Sequence, residues 1–136
     1  MKTHCLIISF FFIFSVTSGE QVPDSLKIKS LPPAQFQAAY QNSEKGIMID
    51  VREFFEYRKS RLKDAVNIPS MGDLDSAADT IDKHADLFFY CTSGFRSKRV
   101  AKYFYEKGFL NVYSLDGGII SWRKAKYPVV KKRLRR

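Results

Sequence analysis

A chain of 136 residues has room for one domain, and its 45% hydrophobic residues suffice to give that domain a core. The net charge of +9 is not spread over it: residues 121–136 hold eight Lys/Arg and no acid, residues 19–120 hold 14 of each sign, and Lys2 supplies the remainder. The body is therefore neutral, and the basicity belongs to one end.

Residues 1–19 have the order of a secretory signal peptide. Lys2 gives the positive start, an apolar or near-apolar run of ten residues follows from Cys5 to Phe14, and Ser15-Val16-Thr17-Ser18-Gly19 is small and polar. Val16 and Ser18 suit the positions before a cut at Gly19, while Thr17 and Gly19 offer a cut one residue later. Ten apolar residues fall short of a hydrocarbon core of about 30 Å, which makes an uncleaved anchor the weaker alternative. Cys5 lies too early for a lipoprotein cleavage box. The domain is then expected over 20–130, with a basic tail at 131–136. That tail could touch anionic lipid; a solvated end is the simpler reading. Export argues against nucleic acid as a partner.

Residues 20–25 read as a polar linker containing Pro23, followed by an extended piece at Ile28. Ser30-Leu31-Pro32-Pro33 reads as a helix start with Ser30 as cap and prolines in the first turn. The helix continues over 34–41 with Phe36 and Tyr40 on one face, and Lys45-Gly46 breaks it. Ile47-Met48-Ile49 suits a strand buried on both faces of a parallel sheet. A short helix is expected over 54–59, a strand over 65–69, and a helix over 74–83 with Asp73 or Asp75 near its start. A strand over 86–90 leads to a long helix over 97–107 that Gly108 ends. A strand over 110–114 follows, then Gly117-Gly118 opens a helix holding Ile119, Ile120 and Trp122. Pro128 ends it, and Val129-Val130 adds an edge strand. Alternation of this kind predicts an α/β domain with a central parallel sheet and helices on both faces. Ligands of such sheets bind beyond the carboxyl ends of the strands, where Asp50 and Cys91 both fall.

The chemistry concentrates in Cys91-Thr92-Ser93-Gly94-Phe95-Arg96-Ser97. A strand that ends in a thiol, turns tightly and enters a helix directs loop amides and a helix N-terminus at the sulfur, lowering its pKa. Gly94 allows the turn, Thr92, Ser93 and Ser97 are small and polar, and Arg96 offers a permanent cation to an anionic ligand. A small buried hydrophobe is the commonest fate of a free cysteine, but this position, between an apolar strand and a Gly/Ser/Arg loop, argues against it. With the signal removed, Cys91 is the only cysteine and His84 the only histidine. An internal disulfide is then excluded, as is a metal site of the usual zinc kind. No Gly-x-Ser-x-Gly elbow supports a serine triad. His84 reads as a surface residue and Trp122 as core.

Four segments in register resemble a single-domain rhodanese, a thiosulfate:acceptor sulfurtransferase. They are Asp50-Val51-Arg52-Glu53, Ala65-Val66-Asn67-Ile68-Pro69, the Cys91–Ser97 segment, and Leu115-Asp116-Gly117-Gly118 with Trp122 and Pro128-Val129. The resemblance covers roughly residues 25–130. The signal and small size are similar to the periplasmic phage-shock type, which implies export into a bacterial periplasm. The fold implied is a small domain with a mainly parallel five-stranded sheet flanked by helices on both faces. The mechanism implied is covalent: Cys91 takes the outer sulfur of thiosulfate as a persulfide and passes it to cyanide or a thiol, including a protein thiol. Residues 92–97 (Thr92, Ser93, Gly94, Phe95, Arg96 and Ser97) would bind the substrate. Arg96 would neutralise the sulfonate, or else brace the loop against a carbonyl or Asp50. Asp50 and Arg52 would support the rim as an ion pair, and Gly117-Gly118 would permit close packing beside the loop. Glu53 reads as a solvated carboxylate in a first helical turn. No metal or organic cofactor is needed.

Related cysteine phosphatases use Cys-x5-Arg, whereas the spacing here is Cys-x4-Arg, a smaller loop suited to sulfane sulfur. Two other readings keep the fold. One is a persulfide relay or thiol-redox partner docking on another exported protein. The other is a non-catalytic binding module, against which the intact Cys91, Gly94 and Arg96 count.

Overall fold

Runs of β-branched and aromatic residues closed by glycine, proline or aspartate become strands, and the amphipathic segments between them become helices. The computed structural model describes residues 28–132. The expected signal at 1–19 and positions 133–136 of the tail lie outside the described residues. In chain order the elements are β1 (Lys29–Leu31), α1 (Pro33–Gln41), β2 (Gly46–Asp50), α2 (Phe54–Lys59), β3 (Ser60–Arg61) and β4 (Val66–Asn67). Then come α3 (Met71–Thr80), β5 (Asp86–Tyr90), α4 (Phe95–Glu106), β6 (Asn111–Leu115), α5 (Gly118–Lys124) and β7 (Val130–Lys131).

Five strands form one sheet in the order β1-β6-β5-β2-β4, and every neighbouring pair is parallel. A parallel sheet needs cover on both faces, and the alternation along β5 supplies it. Leu87 and Phe89 point with Cys91 into a cluster with Leu74 and Ala78 of α3 and with Val100 and Phe104 of α4. Phe88 and Tyr90 point the other way, against Phe36 of α1 and Ile119 and Trp122 of α5. Phe36 and Tyr40 both meet Phe88 edge-on, as their shared helical face predicts. Such aromatic pairs add about 0.5–1.5 kcal/mol each beyond burial.

The structure corrects several boundaries. Ser30 does not cap α1: it pairs with Ser114 in the sheet, and Pro32 takes the cap position without a side-chain bond. Helix α3 begins three residues earlier than expected, because Ser70 Oγ accepts the Asp73 N–H at 3.1 Å. It also stops at Thr80, and Lys83 instead turns back to donate to the Ala78 carbonyl. Helix α4 begins at Phe95, not Ser97. The segment 65–69 keeps only two strand residues. The strand at Val130 is no edge of the main sheet; it pairs antiparallel with β3, Ser60 opposite Lys131 and Arg61 opposite Val130.

Candidate active site

Strand β5 runs up the middle of the sheet, and Cys91 is the first residue beyond its carboxyl end. Gly94 then turns the chain with φ 91° and serves as the cap of α4. A Cβ there would stand 2.9 Å from the Gly117 nitrogen and 3.1 Å from the Leu115 oxygen, so the turn requires glycine. Helix α5 closes on the loop from behind. Ile119 N–H donates to the Cys91 carbonyl at 2.9 Å and Ile120 N–H to the Thr92 carbonyl at 3.2 Å. This approach is possible because Gly118, at φ 60°, has no Cβ; one would come within 2.5 Å of both carbonyl oxygens.

With its carbonyls tied to α5, the loop presents amides to the sulfur. Gly94 N–H donates to Cys91 Sγ at 3.1 Å, and the Ser93 and Ser97 amides converge on it. Cys91 is only 1% exposed and shares its cluster with Val51, Leu74, Phe89 and Val100. Burial pushes the thiol pKa up; the Ser97 amide and hydroxyl and the Ser93 and Gly94 amides outweigh it and hold the group below its ordinary value. Ser97 is itself buried, its Oγ 3.1 Å from the Gly94 carbonyl and accepting from Ser114 Oγ at 3.0 Å, so its one proton serves either that carbonyl or the sulfur. Buried yet ringed by donors, the sulfur is built to carry negative charge.

Thr92 and Arg96 face a residue that the sequence did not single out. Thr92 Oγ1 donates to Glu56 Oε1 at 2.8 Å, and Arg96 Nη2 lies 3.5 Å from Glu56 Oε2. Burial raises the Glu56 pKa, but the Thr92 hydrogen bond, the Glu53 amide and the charges of Arg52 and Arg96 bring it below the ordinary value. Arg96 thus braces against Glu56, not Asp50. Its half-exposed pair is worth no more than about 1 kcal/mol, so the cation is readily released to another anion. Glu53 and Glu56 form a capping box on α2, a local signal that fixes the helix start but not the contact with the loop. Ser93 is exposed, and Phe95 stands 70% exposed at the rim.

Asp50 and Arg52 form the expected pair. The guanidinium donates through Nε at 3.0 and 3.1 Å and through Nη2 at 2.6 Å to both carboxylate oxygens. Nη2 also donates to the Ser60 carbonyl at 2.7 Å, and the cation lies 5.5 Å from the Tyr90 ring centre. Burial lowers the Arg52 pKa, but the Asp50 hydrogen bonds and charge outweigh it and raise it overall. Asn67 ties the turn by donating to the carbonyls of Asp50 and Arg52. His84 pairs with Asp82 at the surface, away from the sulfur, and Trp122 is core, donating to the Pro128 carbonyl. Among the described residues no group of three or more His, Cys, Asp or Glu is placed to hold a metal. A concavity lined by Tyr40, Gly46 and Asp64 lies at the opposite end of β2 from Asp50.

The family described as "Rhodanese-like domain" matches residues 33–125. The Bacillus subtilis protein named "Putative sulfurtransferase YtwF" is 36% identical over 97 residues, covering 71% of this chain and 92% of that one. A tRNA uridine(34) hydroxylase of Yersinia pestis is 36% identical over 86 residues, 59% of this chain but only 24% of its own length. The likeness to the hydroxylase therefore concerns a quarter of that protein. The crystal structure of a rhodanese-related protein from Thermoplasma volcanium superposes with a TM-score of 0.64 at 26% identity, over 75% of this chain and 97% of that one. The family and the first relative support sulfur transfer in general.

Proposed function

This chain belongs to the rhodanese-like family, and from that premise we propose that it is an exported sulfurtransferase. It would move a sulfane sulfur from thiosulfate, or a related donor, to cyanide or a thiol through a persulfide on Cys91. The observation that carries this reading is the sulfur beyond the central strand, with the Gly94 N–H on it at 3.1 Å and its pKa lowered.

The Cys91 thiolate attacks the outer sulfur of thiosulfate. A bond forms between Sγ and that sulfur, the donor's own S–S bond breaks, and sulfite leaves with the electron pair. The acceptor then attacks the outer sulfur, and the pair returns to Sγ. The Ser93, Gly94 and Ser97 amides stabilise sulfur-borne charge in both steps, as preorganised dipoles do at an oxyanion. Thr92 and Arg96 stand at the mouth to meet the departing anion, and Phe95 shapes the rim. Asp50 and Arg52 hold the turn beside the loop and touch no reactant. Residues 1–19 act as the export signal, 20–130 as the catalytic domain and 131–136 as a basic tail whose first residue, Lys131, is still paired in β7, in a bacterial periplasm. A persulfide relay to a protein thiol is the second reading, favoured by the exposure of Phe95 beside the loop.

Exported protein incubated with thiosulfate is expected to gain one sulfur atom by intact mass, at a length lacking the signal, and to form thiocyanate when cyanide is added. Thiocyanate no faster than with Cys91→Ser removes the reading for small donors. Poor thiosulfate turnover beside ready transfer from a persulfide donor moves it to the relay.

A further inference from the structure

On the α3/α4 face of the sheet an open groove of about 360 Å³ runs beside the sulfur loop. That is within the range of roughly 300–1,000 Å³ occupied by small-molecule sites. Val51, Met71, Leu74 and Val100 line it, with Arg96 and Arg99 as its cations. Val51, Leu74 and Val100 belong to the same packed cluster as Cys91, so groove and sulfur share a wall. Arg96, Arg99 and Val100 fall on one face of α4, at i, i+3 and i+4.

The two cations differ in what they already hold. Arg96 faces Glu56. Arg99 lies 6.0 Å from the Phe95 ring centre, and among the described residues no carboxylate pairs with it. At the far end of the groove Asp75 is engaged with Tyr103 and Lys107. Cyanide, having no carbon stem, makes no use of an apolar wall. An organic stem does, at about fourfold in affinity for each methylene buried.

We propose that this groove seats an organic thiol bearing a carboxylate, with Arg99 as its anchor, and that this thiol accepts the sulfur held by Cys91. The proposal rests on the sulfurtransferase reading above. In the step, the acceptor thiolate attacks the outer sulfur of the Cys91 persulfide. A bond forms between acceptor sulfur and outer sulfur, the bond from the outer sulfur to Sγ breaks, and Sγ leaves as thiolate. The persulfide proton travels with the outer sulfur, and no external oxidant or reductant is consumed.

The test compares 3-mercaptopropionate with 3-mercaptopropionamide, each rate expressed per thiolate because the carboxylate also raises the thiol pKa, as acceptors from thiosulfate-loaded protein. Loading is first verified by intact mass. The wild type is expected to favour the carboxylate by about tenfold in kcat/KM, the worth of one charged hydrogen bond. Added salt should shrink that preference. Arg99→Gln is expected to bring the ratio near one and Arg99→Lys to keep part of it. The ratio is the readout because a general disturbance of α4 slows both thiols together. A wild-type ratio near one, or a ratio unchanged in Arg99→Gln, overturns the anchor while leaving Cys91 chemistry standing. If Arg99→Gln fails to fold, a salt-independent ratio in the wild type overturns it equally. Absence of loading in the wild type from thiosulfate and from a polysulfide donor alike instead removes the transferase reading, and this proposal with it.

Discussion

Arg52→Met removes the cation beside Asp50 while keeping an unbranched stem of similar bulk. In the wild type three guanidinium contacts of 2.6–3.1 Å hold the carboxylate, which is 0% exposed. The variant leaves it with the Arg52 backbone N–H at 2.9 Å and the Tyr90 hydroxyl, and no opposing charge in contact. The Ser60 carbonyl loses its donor as well. Stranding one member of a buried pair costs about 3–5 kcal/mol, whereas replacing both members with apolar residues is often close to neutral. Total stability is typically about 5–15 kcal/mol, so the single change consumes a large share of it. Urea denaturation near neutral pH measures the cost for Arg52→Met, for Asp50→Leu and for the double variant. The double variant is expected to lose less than the sum of the two single losses, by about 2 kcal/mol or more. A loss below about 1 kcal/mol in Arg52→Met, or strict additivity in the double, would refute the argument that the pair is held by mutual need.

Two further outcomes are expected. Because the Cys91 pKa is lowered in the folded chain, ultraviolet absorbance of the thiolate should persist below the ordinary thiol value of about 8.5 and fade only as pH falls through the lowered value. The stability it contributes is full above the unfolded value and is lost as pH falls through the folded one, so Cys91→Ser should flatten that part of the pH–stability curve; a midpoint at or above that of free cysteine contradicts the geometry. Gly118→Ala should displace the Cys91–Thr92 carbonyls, cut sulfur transfer by tenfold or more and cost about 1–3 kcal/mol, read by turnover and melting together. The control is Gly72→Ala within α3, where an added Cβ meets nothing within 4 Å and about 0.5–1 kcal/mol of stabilisation is expected.

The reading of the loop from sequence succeeded because its determinants are local. An apolar run, a thiol and a glycine within four positions specify strand, turn and helix start, whereas the Asp50–Arg52 pair was implied by the resemblance of that segment to the family. Helix α3 was misplaced because Ser70, whose hydroxyl begins it, sits among Pro69 and Met71 with no apolar period to reveal it. The β3–β7 pair escaped for a different reason: Ser60 and Lys131 are 71 positions apart, and although Val129-Val130 read as a strand, Ser60-Arg61 has no strand pattern to reveal it as the partner. Glu56 and Ser114 were invisible as partners of the loop because their contacts depend on how α2 and β6 are set against it. Such contacts follow from tertiary placement, which one sequence does not display.

Sinking Cys91 to the floor of its loop decides which atom of a charged site meets the outside. A sulfur bonded to Sγ stands about 2 Å further out, the length of one S–S bond, while Sγ itself stays walled in by Val51, Leu74 and Val100. On the persulfide reading, an incoming nucleophile therefore meets the terminal atom before the inner one. If Cys91 carries a persulfide, transfer rather than capture of the visitor as a mixed disulfide becomes a matter of depth.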